Sequence, residues 1–477
     1  MPRLRLFLLA AALPLGVLAA DRKPNFLFVF TDDQRWDAMS VVQREQGEKG
    51  RFPWFTTPHM DRLAAEGMRF RNAFVTNALC APSRAVFMTG RHSHHNGIVN
   101  NHTPFAATNV THATVLRAAG YATAYIGKWH MGSQSGQRPT FDYSASFVGQ
   151  GRYVDCPIEV NGVATPTKGW VDDVTTDYAI DYMRKNRDRP FSIMLGFKAC
   201  HGPFDPPERA KDRFTGARAR TVPNMAVRAI YRDEDPPAFT KGRAAVAAGT
   251  DVEINLGYFR CISAADDNLG RLLAALDELK LADDTVVIFS SDNGYYHGEH
   301  GLGDKRSAYD ESLRIPMLVR YPRLVAKGTV RDEMVLNLDL APTLIDLAGA
   351  KVPAEMQGRS WKPLLAGERA PWRESFFYCY FFEANFPTTP TTTALRTQTA
   401  KLIKYPGREE WTELFDLAAD PHELKNLWRD PAHAALRAKL SAEYDAQAKT
   451  TGFHIPDYAD KPGDAAAKKK SKKKQQE

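Results

Sequence analysis

The sequence predicts an α/β protein: a large, mainly parallel sheet flanked by helices, followed by a smaller C-terminal region of antiparallel sheet and helix. Three observations predict it. Short, continuous apolar runs alternate with stretches of helical period, the pattern of strands covered on both faces. Four of those runs end in clusters of carboxylates, lysines and histidines, where such sheets carry their sites. Beyond about Pro371 the texture changes to aromatic and Thr/Pro-rich segments.

Taken in order, residues 26–30 read as a buried strand. Residues 113–119 read as a helix leading into a second strand at 121–126, and residues 191–197 as a third. Ile262, Leu269, Leu272, Leu273, Leu276 and Leu279 recur at helical spacing before a fourth strand at 286–289. Residues 315–319, 335–338 and 343–347 continue the alternation. The aromatic run 376–382 reads as core of the small region, residues 402–405 and 412–415 as antiparallel strands, and 436–448 as a final helix. The expected organisation is a signal peptide at 1–20, a catalytic domain at 21–370, a small α+β subdomain at 371–457 and an unstructured Lys-rich tail at 458–477.

With 43% hydrophobic and 25% charged residues, the 477-residue chain is neither disordered nor fibrous. The formal charge of +7 sits at the ends: Arg3 and Arg5 in the leader, and a lysine run from Lys468 to Lys474. The body between them is neutral, which argues against a nucleic-acid-binding surface. Arg3 and Arg5, a short apolar core and Val17-Leu18-Ala19 form a secretory signal pattern, too short to span a bilayer. The expected protein is therefore exported, to the periplasm or medium, with no stable membrane anchor. The five cysteines, an odd number in an exported chain, leave at least one thiol with another fate.

The four strand ends are Thr31-Asp32-Asp33-Gln34, Gly127-Lys128-Trp129-His130, Lys198-Ala199-Cys200-His201 and Ser290-Ser291-Asp292-Asn293. Each alone is ordinary, since an Asp before a helix often caps it. Jointly they would converge on one cleft. Carboxylates that close repel unless a cation bridges them, and oxygen-only ligands suit Ca²⁺ or Mg²⁺. Cys80-Ala81-Pro82-Ser83-Arg84 suits a helix start, Pro82 fitting a first turn. Cys80 there is either a half-buried structural thiol or a reactive one with a lowered pKa, with Arg84 one turn along. His92, His94, His95 and His102 would line a wall of the cleft, contacting substrate or forming only a polar loop, with His297 and His300 similar.

C-A-P-S-R followed by T-G-R at 80–91 resembles the signature of the formylglycine-dependent sulfatases of the alkaline phosphatase superfamily. The Asp32-Asp33 pair, G-K-W-H at 127–130, His201, D-N-G at 292–294 and Lys305 in G-D-K-R follow in that family's order. The resemblance implies that a maturation enzyme oxidises Cys80 to formylglycine, whose hydrate attacks sulfur with one hydroxyl and releases sulfate through the other. It implies that Asp32, Asp33, Asp292, Asn293 and residue 80 hold Ca²⁺, Mg²⁺ being the lesser alternative. Arg84 would hold the formylglycine, and Lys128, Lys305 and His201 would clamp sulfate oxygens. His201, with Lys305, would be the acid for the leaving alcohol, and His130 the base that re-forms the aldehyde. The segments at 298–317, 395–405 and 416–427 resemble the carbohydrate-acting branch, nearest an amino-sugar 6-sulfatase of glycosaminoglycan fragments. The T-T-T-A-L-R-T stretch departs from that subgroup, so algal polysaccharide and small aryl sulfates stay open as substrates. The rival readings are a phosphodiesterase or phosphonate hydrolase of the same superfamily and a non-catalytic, Ca²⁺-dependent binder of sulfated glycans.

Overall fold

The protein is represented by a computed structural model that describes residues 23–232 and 250–464. The expected signal peptide and the lysine run lie outside the described residues. No helix among the described residues is long and apolar enough to cross a membrane.

The main sheet uses β1 (Asn25–Thr31), β2 (Met68–Phe70), β3 (Ala122–Lys128), β4 (Tyr143–Phe147) and β5 (Ile158–Val160). It adds β6 (Val163–Thr165), β7 (Phe191–Gly196), β8 (Thr285–Ser291), β9 (Met317–Arg320) and β10 (Thr329–Arg331). The ten strands lie in the order β10-β2-β9-β8-β1-β7-β3-β4-β5-β6. The inner run from β8 to β4 is parallel. Residues 315–319, expected to extend the alternation, supply β9, which runs antiparallel to β8. Sequence periodicity carries no strand direction, so the two arrangements read alike before folding.

Alternation along β1 shows why the sheet is central. Phe26, Phe28 and Phe30 face one core, while Leu27 and Val29 face the other. Helices cover both faces, among them α1 (Cys80–Thr89), α2 (His112–Ala118), α3 (Val171–Lys185), α4 (Leu256–Glu278) and α5 (Leu340–Leu347). In α4 the predicted leucines are buried except Leu279, which caps the end. Residues 343–347 belong to α5 rather than to a strand.

Near the C-terminus, β11 (Ser375–Tyr380), β12 (Thr392–Thr397), β13 (Ala400–Lys404) and β14 (Glu413–Asp416) form an antiparallel meander backed by α6 (Ala434–Thr450). The aromatic run is core, and it serves two cores. Phe376, Tyr378 and Tyr380 join the core of the large sheet, while Phe377, Cys379 and Phe381 pack toward α6. The expected unstructured tail does not begin at 458. Ala459 is buried, and the Asp460 carboxylate accepts a hydrogen bond from the Ala384 amide at 2.8 Å. A small side chain and a carboxylate with a backbone donor suffice to seat residues 458–464, despite the polar composition.

The strand tips are held in register at positions where only glycine fits. Gly127 has φ +88, and a Cβ there would lie 2.0 Å from the Gly196 carbonyl oxygen of the neighbouring strand. Gly127→Ala is therefore expected to cost about 3 kcal/mol and to lower the melting temperature by several degrees. An unchanged calorimetric midpoint would show that the two tips can part without penalty.

Candidate active site

Every strand end singled out above reaches one place, because β1, β7, β3 and β8 are parallel neighbours. Thr31 pairs with Ser291 and Phe30 with Gly196, so Asp32, Phe197 and Asp292 leave the sheet at the same level. The tips are cross-tied. The Asp32 amide donates to the Ala199 carbonyl at 2.7 Å, and the Cys200 amide donates to the Asp32 carbonyl at 2.8 Å. Asp33 and His130 take left-handed backbone, at φ 67 and φ 57, which turns the chain sharply after each strand.

The carboxylates of Asp32, Asp33 and Asp292 are fully buried, with ligand oxygens within 4.8 Å of one another. Arg84 reaches them from α1. Its Nε donates to Asp292 Oδ2 at 2.9 Å, one terminal nitrogen donates to Asp32 Oδ2 at 3.1 Å, and the other to the Lys128 carbonyl at 2.6 Å. Its guanidinium also lies over the Phe30 ring at 4.8 Å. Lys128 Nζ meets Asp32 Oδ2 and donates to Gln150 Oε1 at 2.6 Å. Lys305 Nζ donates to Asp33 Oδ2 at 2.8 Å, and Asn293 Nδ2 donates to Asp33 Oδ1 at 2.7 Å. His201 Nε2 is 3.8 Å from Asp33 Oδ2, while its Nδ1 is 2.9 Å from the Gly202 carbonyl oxygen. The tautomer with the proton on Nδ1 satisfies that bond and leaves an Nε2 lone pair facing the carboxylates.

Burial sets the electrostatics. It works to raise the Asp32 carboxyl, but Lys128 and Arg84 outweigh it and hold Asp32 well below the usual range. Burial raises Asp33 against the pull of Lys305, and it raises Asp292 to about 7 with help from Asp32. Three carboxylates so packed, two of them pushed toward protonation, form a donor set that a hard divalent cation would relieve. Asn293 Oδ1 is buried with no protein donor, a further oxygen for the same ion. The residues therefore fit a Ca²⁺- or Mg²⁺-type site.

Cys80 is the first residue of α1 and fully buried, with Sγ 3.4 Å from Asp32 Oδ1. Sγ also lies within 4.8 Å of a His201 ring nitrogen. Of the two readings of Cys80, the reactive thiol with a lowered pKa is not the one found. Burial, reinforced by Asp32, pushes the Cys80 thiol upward and outweighs the nearby Lys305 and Lys128. As a free thiol, Cys80 is a poor nucleophile. His130 and His201 are both held well below the ordinary imidazole range, first by burial and then by the neighbouring lysines.

A cavity of about 610 Å³ opens onto Asp33, His130, His201 and Lys305. Several of its supports carry no motif in the sequence. Gln150, from the loop after β4, accepts from Lys128 and also from Lys198 Nζ, through its own carbonyl at 2.9 Å. The Asp172 carboxylate accepts from the amides of Lys198 and Ala199 at 2.8 and 2.9 Å and so fixes the end of β7. Asn101 Oδ1 accepts from the Ala81 amide at 3.0 Å and holds the start of α1.

The histidine wall is mostly corrected. His102 lines the cavity and meets Asn385 Nδ2 at 2.9 Å. His94 and His95 instead direct Nε2 to the Thr451 carbonyl at 3.0 and 2.7 Å, under the end of α6, and His92 is buried beside them. His297 packs among Tyr258 and Phe259, and His300 stacks on Tyr309 at 3.8 Å. All five cysteines are free thiols, so no disulfide uses the remaining four.

Comparison with known proteins agrees with this geometry. Residues 24–350 match the sulfatase family, and residues 298–450 match the family described as N-sulphoglucosamine sulphohydrolase, C-terminal. An N-acetylglucosamine-6-O-sulfatase of Bacteroides thetaiotaomicron is 31% identical over 91% of this chain and 88% of its own length. The solved structure of BT4656 in complex with its substrate D-glucosamine-2-N,6-O-disulfate superposes with a TM-score of 0.80 at 29% identity, covering 92% of this chain and all of that one. A phosphonate monoester hydrolase of Agrobacterium radiobacter shares the fold at a TM-score of 0.74 and 22% identity, over 90% of this chain and 96% of its own. With the family matched over most of its length and that relative spanning nearly all of it, the chain belongs to the sulfatase family of the alkaline phosphatase superfamily, the sulfuric ester hydrolases.

Proposed function

We propose that this chain is an exported carbohydrate sulfatase that removes sulfate from amino-sugar 6-sulfates or related sulfated polysaccharide fragments, using formylglycine at position 80 and a bound Ca²⁺. The observation that carries this reading is the meeting of Cys80 with three buried carboxylates and two buried lysines, beside a cavity that Asp33 and Lys305 line. The N-acetylglucosamine-6-O-sulfatase relative and the glucosamine disulfate complex support the choice of sugar class.

Formylglycine, as its hydrate, would supply one hydroxyl to attack sulfur and a second whose deprotonation releases sulfate. The cation, held by Asp32, Asp33, Asp292 and Asn293, would supply Lewis acidity toward the attacking hydroxyl and the sulfate. The protein's own groups do the rest. Arg84 fixes Asp32 and Asp292 and holds residue 80 in line. Lys128 and Lys305 present ammonium groups to the sulfate oxygens, where negative charge must be offset. His201 and Lys305 together serve the departing alcohol as the acid, the Lys305 ammonium carrying the proton and His201 Nε2 relaying it, and His130 takes the proton from the second hydroxyl.

The test is parallel turnover of N-acetylglucosamine 6-sulfate, an aryl sulfate and an aryl phosphodiester by protein whose residue 80 has been characterised by peptide mass. Sulfate release from the sugar should dominate; faster phosphodiester cleavage would overturn the reading, and binding without turnover by modified protein would favour a glycan binder. Removing divalent cations with a chelator is expected to reduce sulfate release to background. Ca²⁺ should restore it better than Mg²⁺, and full activity of the chelated enzyme would remove the metal from the account.

A further inference from the structure

One buried charge beside the site takes no part in the chemistry proposed above. Lys198, two residues past the end of β7, is 1% exposed, yet no carboxylate oxygen of the described residues lies within 4 Å of its Nζ. The nearest carboxylate on its own backbone, that of Asp172, is taken up by the amides of Lys198 and Ala199. Lys198 Nζ donates instead to the Gln150 carbonyl at 2.9 Å and lies 4.9 Å from the centre of the Tyr153 ring. Burial, then repulsion from Lys128, pulls this ammonium down to about 8. A carbonyl and an aromatic face compensate a buried cation only in part, so the charge is held at a cost to the fold. Buried charges kept at such a cost belong more often to function than to stability.

What Lys198 holds supplies the function. Pairing of β4 with β3 ends at Phe147. Gly149 and Gly151 then take left-handed backbone, each at φ 60, so the loop leaves the sheet and Lys198 ties it down at Gln150. From there Gln150 Oε1 accepts from Lys128 Nζ at 2.6 Å, and Gln150 itself lines the active-site cavity. An ammonium has three N–H donors. Asp32 and Gln150 take two of those on Lys128, which fixes the rotation of Nζ and the direction of the third.

Resting on the sulfatase reading above, we infer that Lys198 is a positioning residue for Lys128: by seating Gln150 it directs the free Lys128 N–H at the sulfate. Lys198 is not among the residues lining the cavity, so it acts through Gln150, two hydrogen bonds from the ammonium it orients.

The experiment measures kcat/KM for sulfate release and the melting midpoint for Lys198→Met, Gln150→Leu and the double variant, with formylglycine content matched by peptide mass. Lys198→Met keeps the apolar stem and removes the charge and the donor. It should lower kcat/KM by about ten-fold while the midpoint stays level or rises, because a poorly compensated buried cation is gone. Gln150→Leu should lower kcat/KM by a similar factor. The double variant should fall no further than the larger single effect, since both changes break one chain of contacts. Native kcat/KM in Lys198→Met, or single effects that multiply in the double variant, would overturn the inference. A lower midpoint or an unfolded Lys198→Met would assign Lys198 to the fold and overturn it equally. Should the wild type release no sulfate but cleave an aryl phosphodiester, the sulfatase reading fails by itself, and the same cycle run on the phosphodiester judges Lys198 by the same criteria. Should neither ester turn over, calorimetric affinity for inorganic sulfate takes the place of kcat/KM in the cycle.

Discussion

Replacing Cys80 by alanine is expected to reduce sulfate release by at least about 10⁴-fold while the protein stays folded. The two halves of that statement have different physical grounds. The fold should survive because Cys80 opens α1 with no cap of its own and contributes a single buried sulfur, set 3.4 Å from Asp32 Oδ1. Losing it costs on the order of 1 kcal/mol, a small part of the stability of a domain this size. Activity should not survive, because Cys80 Sγ is the group set against the Asp32 carboxylate and the His201 ring, where the proposed ester forms. Cys80→Ser separates the nucleophile's two duties. A serine oxygen can accept the sulfuryl group once, but it has no second hydroxyl on the same carbon to expel sulfate. The expected product is a stalled sulfate ester on the peptide bearing position 80, seen by mass, with little turnover. The wild-type protein matters as much. Burial and Asp32 disfavour the Cys80 thiolate, so an active enzyme whose peptide still carries an intact thiol would contradict the proposed chemistry.

Much of this site was legible because a parallel sheet converts sequence order into spatial convergence. Asp32, Lys128, His201 and Asp292 are far apart in the chain, yet each follows an apolar run, and parallel neighbours end at one edge. What escaped the sequence lies on connections without a period. Gln150 and Asn101 act through single hydrogen bonds from loops, and neither residue type in such a loop advertises a partner. The histidines after α1 misled for the opposite reason. Their composition suggested a wet cleft, but the end of α6 covers His94 and His95, a contact between residues more than three hundred positions apart. Between the two readings of the thiol, magnitude decides. A helix N-terminus stabilises an anion by about 1 kcal/mol, whereas full burial beside a carboxylate costs an anion several times that.

Arg84→Ala should be the most damaging substitution that leaves residue 80 and every proposed metal ligand in place. The guanidinium is fully buried and joins Asp32, Asp292 and the Lys128 carbonyl, so one side chain ties β1, β8 and β3 to α1. Without it Asp32 keeps Lys128, but the fully buried Asp292 loses its cationic partner. Breaking a buried pair from one side costs about 3–5 kcal/mol, and chemical denaturation should show a loss of that order in chelator. The same logic gives a sign to metal binding. Arg84 repels a divalent ion held by Asp32 and Asp292, so its removal should leave Ca²⁺ affinity equal or tighter by calorimetry. Bound Ca²⁺ would then stabilise the variant more than the wild type, and the stability deficit should shrink as the ion is added. Turnover should nevertheless fall by about 10²–10³-fold, because the ion cannot replace the directed donors that align residue 80. A variant that binds Ca²⁺ far more weakly would recast Arg84 as a support of the metal site, and one with near-native turnover would remove it from the reaction.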